Sequence, residues 1–223
     1  MFPDLTADDI FRIETKRLWL RWPRASDAPA ITSFVSLAQI ARMTASIPHP
    51  YPPSEAERFI MKARSGNASG TALVLAITHK GGARQTIGLV SATMAAAGDI
   101  EFGYVVAPPA WGKGFASEAV KALADTVFSL TQANQIFANS RVDNIASRRV
   151  LEKTGFAFVD TGLDFLPARG GLHPCDRFQL DRKTWATGRR AAGESRPMPP
   201  MARQAHAASE ARVLVPAAPQ IED

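Results

Sequence analysis

The stretch Trp111-Gly112-Lys113-Gly114-Phe115-Ala116-Ser117-Glu118-Ala119 lies between an apolar run ending in Pro108-Pro109 and a segment with apolar residues at helical spacing. Its small residues Gly112, Gly114 and Ala116 let backbone N–H groups turn toward a common point. The positive end of a helix dipole stands directly behind that point, so the loop is built to hold an anion. It is neither a Walker loop nor a dinucleotide fingerprint. No Lys-Ser/Thr pair follows Gly114, and Ser117 stands where G-x-G-x-x-G has its third glycine. The bland reading of the same residues is a tight strand-to-helix connection with no ligand.

Working outward, Ala116, Val120, Leu123, Val127 and Leu130 recur at helical spacing after the loop. Before it, Thr71–His79, Thr86–Met94 and Ile100–Ala107 read as strands, joined by turns at Lys80-Gly81-Gly82-Ala83 and Ala97-Gly98-Asp99. Loops this short make an antiparallel meander. Further upstream, Arg17–Trp22 alternates like a half-buried strand with Leu18, Leu20 and Trp22 on one face, and Ser26 or Asp27 caps a helix. Ser54-Glu55-Ala56-Glu57 is a capping-box signature for a second helix running to about Arg64. Downstream, Gln135–Ser140 reads as a strand, and Asn144 caps a short helix that Gly155 ends as its C′ glycine. Phe156–Val159 and Arg177–Leu180 read as closing strands. The order is β-α-α-β-β-β-α-β-α-β-β, an α/β (α+β) chain with no internal repeat.

At 223 residues and 46% hydrophobic content, the chain buries one good core. Residues 1–13 read as a lead-in and 14–186 as the working domain. From Thr187 to Asp223 the chain has nine Ala and five Pro without apolar periodicity, so it reads as a disordered tail. The net charge of +5 is mild and its basic residues are interleaved with acidic ones, which leaves no nucleic-acid footprint. No apolar run approaches the roughly 18 residues of a membrane span. The one cysteine, Cys175, cannot form an internal disulfide, and Asp4, Asp8 and Asp9 argue against a secretory leader. These features suit the cytoplasm. Monomer and homodimer both stay open.

Four blocks carry a family resemblance in the correct order. They are Glu14–Arg21 with Asp27-Ala28; Ile100-Glu101-Phe102-Gly103-Tyr104-Val105-Val106; the glycine loop; and Asp143–Phe156, which reads D-N-I-A-S-R-R-V-L-E-K-T-G-F. Together they resemble the GCN5-related N-acetyltransferases (GNAT), in the RimJ/RimL-like branch that acetylates ribosomal-protein N-terminal alanines. Gly114 and Ala116 match the family's pyrophosphate loop. Trp111 replaces the usual Arg or Gln, as is habitual in that branch, and is favoured as a packing residue that shapes the loop. The resemblance implies a mixed central sheet of about seven strands flanked by about four helices. It also implies a β-bulge and a V-shaped splay at the cofactor-binding strand, with acetyl-CoA as co-substrate and no metal.

By the same resemblance, the backbones of Tyr104, Val105 and Val106 meet pantetheine, while Trp111, Gly112, Lys113, Gly114, Phe115 and Ala116 hold pyrophosphate. Acetyl transfer needs a base for the attacking ammonium, donors for the oxyanion, and help for the departing thiolate. Glu101 is the candidate base, acting through water, or else a solvent-facing strand residue. Asn144 contacts pantetheine besides capping its helix. Ser147 donates to the departing sulfur, or is an ordinary first-turn serine. Tyr104 is not at the position where relatives keep an acid tyrosine, so that role falls to Ser147 or to solvent. His49 and Tyr51, in the proline-rich Ile47–Pro53 loop, are candidate acceptor-binding residues or parts of a rigid connector. The expected reaction is direct transfer to a primary amine, a protein N-terminus first and a small amine such as an aminoglycoside or polyamine second. A non-catalytic acyl-CoA-binding module is the reading from another class.

Overall fold

The computed structural model describes residues 11–81, 85–95 and 99–191. Residues 82–84 and 96–98, where turns are expected, most of the expected lead-in and the expected tail beyond 191 lie outside the described residues. Eight strands form one sheet: β1 (Arg12–Glu14), β2 (Leu18–Arg21), β3 (Ala72–His79), β4 (Thr86–Met94), β5 (Ile100–Val106), β6 (Gln135–Arg141), β7 (Ala157–Leu166) and β8 (Gly171–Asp181). Their spatial order is 1-2-3-4-5-6-8-7, antiparallel throughout except at β5–β6. Among the described residues six α-helices cover it: α1 (Ala28–Val35), α2 (Ala38–Ala41), α3 (Glu55–Ser69), α4 (Phe115–Leu130), α5 (Ile145–Lys153) and α6 (Arg182–Ala191).

Each face of the sheet has its own core. On one, Val120, Leu123 and Val127 of α4 and Leu151 of α5 pack against Leu18, Leu20, Leu75, Ile77, Phe102 and Ile136. On the other, Ile31, Phe34 and Val35 of α1 and Ala56 and Ile60 of α3 cover Ala76 and Leu89. Central strands buried from both sides need apolar residues at consecutive positions, and Val74, Leu75, Ala76 and Ile77 supply them. The two faces are hereafter the α4–α5 face and the α1–α3 face.

Several details depart from expectation. The eighth strand, β1, falls partly within the presumed lead-in. It is only three residues long, too short for periodicity, and is held by Phe11 and Ile13 against the core. Helix α6 crosses the 186 boundary. Its segment is polar apart from Trp185, which packs on Phe128 with ring centroids 5.0 Å apart and donates to Asp125 at 2.6 Å. The closing strands are much longer than read, because β7 is an exposed edge whose side chains carry little burial pattern. Its Gly162 gives room to the Arg177 guanidinium, which a Cβ there would meet at 2.6 Å.

Two caps also differ. Asp27 does not cap α1 with its side chain. Its buried carboxylate instead accepts from both Arg21 terminal nitrogens (2.7 and 2.8 Å), the Arg24 N–H (2.7 Å) and the Thr86 hydroxyl (2.8 Å). Ser54 makes no cap bond either. A tight turn, in which the Glu55 N–H donates to Pro52 O, leaves Ser54 at φ 60°, whereas a side-chain cap needs extended backbone. Helix α3 runs on to Ser69, past the expected Arg64.

Candidate active site

The β4–β5 ladder runs in unbroken register from Gly88↔Val106 to Met94↔Ile100, so the expected bulge in β5 is absent. The opening arises on the other edge. Strand β5 pairs with β6 only at Glu101↔Phe137 and Phe102↔Ala138, then diverges. The Ala107 N–H still donates to Ile87 O at 2.8 Å, which fixes the alternation of the antiparallel ladder. Tyr104 and Val106 therefore turn their N–H and C=O groups away from β4 into the gap, and Val105 turns its own to β4. Of the three backbones expected at the cofactor, two face the gap. The Val106 carbonyl is taken by the Trp111 indole N–H at 2.6 Å, so Trp111 ties the loop to the strand end.

Beyond that tie, Gly112 (φ 71°) and Gly114 (φ 75°) adopt left-handed backbone, which costs other residues about 1–2 kcal/mol. Gly114 is the N-cap of α4, and the N–H groups of Phe115, Ala116 and Ser117 have no acceptor within the helix. A cavity of about 450 Å³ opens against Gly112, Gly114 and Ser117, lined also by Arg17, Lys113, Lys121 and Lys153 and by Glu118, whose carboxylate is engaged by Arg17. An anion would meet helix-end amides and cations together there. The Phe115 side chain is buried, beneath the Arg17 guanidinium (4.7 Å) and edge-on to His79 (5.4 Å), and neither Phe115 nor Ala116 lines the cavity, in contrast to the expectation for these two loop residues.

The loop is braced by residues that spacing alone did not reveal. The Glu118 carboxylate accepts from the Thr15 hydroxyl (2.6 Å), the Arg17 N–H (2.8 Å) and the Arg17 Nε (2.6 Å). Arg17 also donates to the Lys113 carbonyl at 2.8 Å. Burial alone would raise the Glu118 pKa, but these hydrogen bonds and the Arg17 charge hold it below the ordinary glutamate value.

Asn144 and Ser147 come together at the start of α5, where the Asn144 side chain accepts from the Ser147 N–H at 3.1 Å. At the other end, the Phe156 N–H bonds Leu151 O and the Gly155 N–H bonds Glu152 O, a Schellman motif at the expected C′ glycine. Across from Ser147, the Tyr104 hydroxyl lies 2.7 Å from its Oγ and 3.0 Å from its carbonyl. Burial pushes the Tyr104 phenol up to about 12, with the Ser147 hydrogen bond opposing.

Glu101 points to the opposite, α1–α3 face, since the alternate residues Phe102 and Tyr104 belong to the α4–α5 core. Partial burial, followed by the charge of Asp164, raises its pKa above the glutamate value. Asp164 is held by Arg177 (2.6 Å) and Asn139 (3.1 Å), and Arg177 also reaches Asp160. On this face the β7–β8 tip meets the loop after α2: the Ala168 N–H donates to Ala45 O at 3.0 Å, and Arg169 donates to Ile47 O. Tyr51 is half-buried against the α1–α3 core, and burial and the nearby Glu55 and Glu57 raise its phenol to about 12. His49 is exposed in the same loop. The structure thus divides the candidates between two faces joined by one opening: Tyr104, Asn144, Ser147 and the loop on one, Glu101, Tyr51 and His49 on the other.

A second cavity of about 680 Å³ lies at the far end of the sheet, beside Thr71, Met94 and Leu130, and holds none of these groups. Among the described residues no helix is long and apolar enough to cross a membrane.

The comparisons agree with this architecture. Residues 17–157 match the model of the acetyltransferase (GNAT) domain. An uncharacterized N-acetyltransferase, p20 of Bacillus licheniformis, is 35% identical over 89 residues; the match covers 40% of this chain and half the length of that relative. The ribosomal-protein-S5-alanine acetyltransferase of Vibrio fischeri superposes with a TM-score of 0.66 at 20% identity, over 78% of this chain and 98% of that one. RimJ of Mycobacterium smegmatis, solved with a CoA disulfide, gives 0.64 at 22% identity, over 79% and 90%. At these identities the structural likeness is one of fold, but the domain match spans more than half of the sequence, and the chain belongs to the GNAT acetyltransferase family.

Proposed function

We propose that this protein transfers the acetyl group of acetyl-CoA to a protein N-terminal α-amine, by direct attack in a ternary complex. The observation that carries this reading is the end of β5–β6 pairing after Phe102, which opens the sheet between an anion-binding loop and Glu101. Coenzyme A would lay its pyrophosphate on the Gly112–Ala116 loop, and its pantetheine along the unpaired edge of Tyr104 and the Val106 N–H, beside Asn144. The acetyl carbonyl would then sit in the opening, within reach of an amine arriving from the α1–α3 face.

The attacking amine must be neutral. Glu101, with its raised pKa, would take the proton through water, and the carbon–nitrogen bond would form as the electron pair leaves on sulfur. Cys175 is 2% exposed, and burial and the Asp164 charge raise its thiol pKa, which supports direct attack over an acyl-enzyme.

A protein terminus is favoured over a small polyamine because Arg177 offsets Asp160 and Asp164, so the acceptor side is not a strongly acidic cleft. The Vibrio fischeri protein acts, by its name, on a ribosomal-protein alanine. His49 and Tyr51, with the β7–β8 tip, would flank the entering peptide. The test is transfer of labelled acetyl groups from acetyl-CoA into a bacterial extract. Label at a protein α-amine is the expected result. Label confined to small molecules would move the acceptor to a metabolite, and CoA binding without any label would leave a binding module.

A further inference from the structure

Building on the acetyl-transfer reading, we propose that Tyr104 is a positioning residue that fixes the Ser147 hydroxyl as a hydrogen-bond donor to the departing thiolate. The phenol has one proton and two acceptors in reach, Ser147 Oγ at 2.7 Å and Ser147 O at 3.0 Å. The shorter contact is the usual length for O–H···O and the longer one is slack. With the phenol donating to Oγ, the serine proton is left free to be donated to a sulfur lying in the gap. In the other pattern Ser147 donates to the phenol oxygen, and no proton faces the sulfur. Developing charge on sulfur selects the first pattern, and only two hydroxyl rotations separate them.

The phenol does not give up its proton. With the phenol held up at about 12 and a free thiol near ~8.5, transfer from Tyr104 to the thiolate would be uphill by a factor of roughly three thousand. The balanced step is therefore as follows. Nitrogen bonds to the carbonyl carbon, the carbon–sulfur bond breaks with its pair on sulfur, and the amine proton leaves toward Glu101 through water. Ser147 and Tyr104 keep their protons as a chain of two hydrogen bonds ending on sulfur, which solvent protonates after release. Without the phenol, a serine at this helical position turns its hydroxyl to the carbonyl three or four residues back, here Asn144 or Asp143, and away from the sulfur.

The test needs only CoA, so it is independent of the acceptor. The thiol pKa of enzyme-bound CoA is read from its ultraviolet thiolate absorbance in wild type, Tyr104→Phe, Ser147→Ala and the double variant. A hydrogen bond to the thiolate lowers the bound thiol by roughly one unit in wild type. Tyr104→Phe and Ser147→Ala should each abolish that shift, with CoA affinity within twofold, and the double variant should add nothing. A bound thiol unchanged by Tyr104→Phe, or a Tyr104→Phe effect that persists in the Ser147→Ala background, overturns the inference and leaves acetyl transfer standing. Failure of wild type to bind CoA removes both.

Discussion

At the scale of single residues, Gly114 and Glu101 bear most directly on chemistry. The left-handed backbone of Gly114 predicts that Gly114→Ala costs about 1 kcal/mol of stability, measurable by denaturant unfolding. Gly114→Glu should abolish CoA binding, because its carboxylate would stand where the loop receives phosphate; unchanged affinity in calorimetric titration would take the loop out of the cofactor site. For Glu101 the sign follows from its raised pKa. The carboxylate is the active base, so kcat/KM falls as pH drops through a value above the ordinary glutamate range. Glu101→Gln should remove that acidic limb and lower the rate by roughly 10²-fold. An acidic limb that survives the substitution would assign the base elsewhere. The left-handed glycines and the Asn144 cap on Ser147 were legible because they are local to a motif. The Tyr104–Ser147 and Arg17–Glu118 contacts were not, since they join residues far apart in sequence.

Among elements, the link between β2, α1 and β4 rests on Asp27. Burial would raise its carboxyl, but the hydrogen bonds from Arg21, Arg24 N–H and Thr86 and the Arg21 charge hold it below the ordinary aspartate value. A carboxylate with a depressed folded pKa adds stability that is present above the unfolded pKa and lost as pH falls through the folded one. Asp27→Asn, which strands Arg21 without its partner, should cost about 3 kcal/mol and flatten that acid dependence, as chemical unfolding at stepped pH would record. Helices α1, α3, α4 and α5 and the central strands could be read from the sequence, because burial imposes a helical period on the former and a continuous apolar run on the latter, whereas the single turn of α2 is too short to show one. Strands β1 and β7 and helix α6 could not be read in full: an edge strand and a helix anchored by one tryptophan impose none. The capping-box motif at Ser54 was misleading because the backbone turn before it sets φ, and a side chain cannot override that.

For the molecule as a whole, the two faces should respond separately. Arg169 ties the β7–β8 tip to the loop holding His49 and Tyr51, far from the anion cavity. Arg169→Ala should raise the acceptor KM about fivefold, the net worth of one hydrogen bond, and leave the acetyl-CoA KM unchanged. A rise in both would mean that the tip supports the fold and not the acceptor side. The same division has a mechanical side. The sheet is two antiparallel plates, β1–β5 and β6-β8-β7, sharing a seam of only two residue pairs. Any ligand that bonds along the free edge of Tyr104 and Val106 acts as a rivet between the plates. The empty protein should flex about that seam and the loaded one should stiffen, with slower amide exchange at Tyr104 and Val106 as its signature.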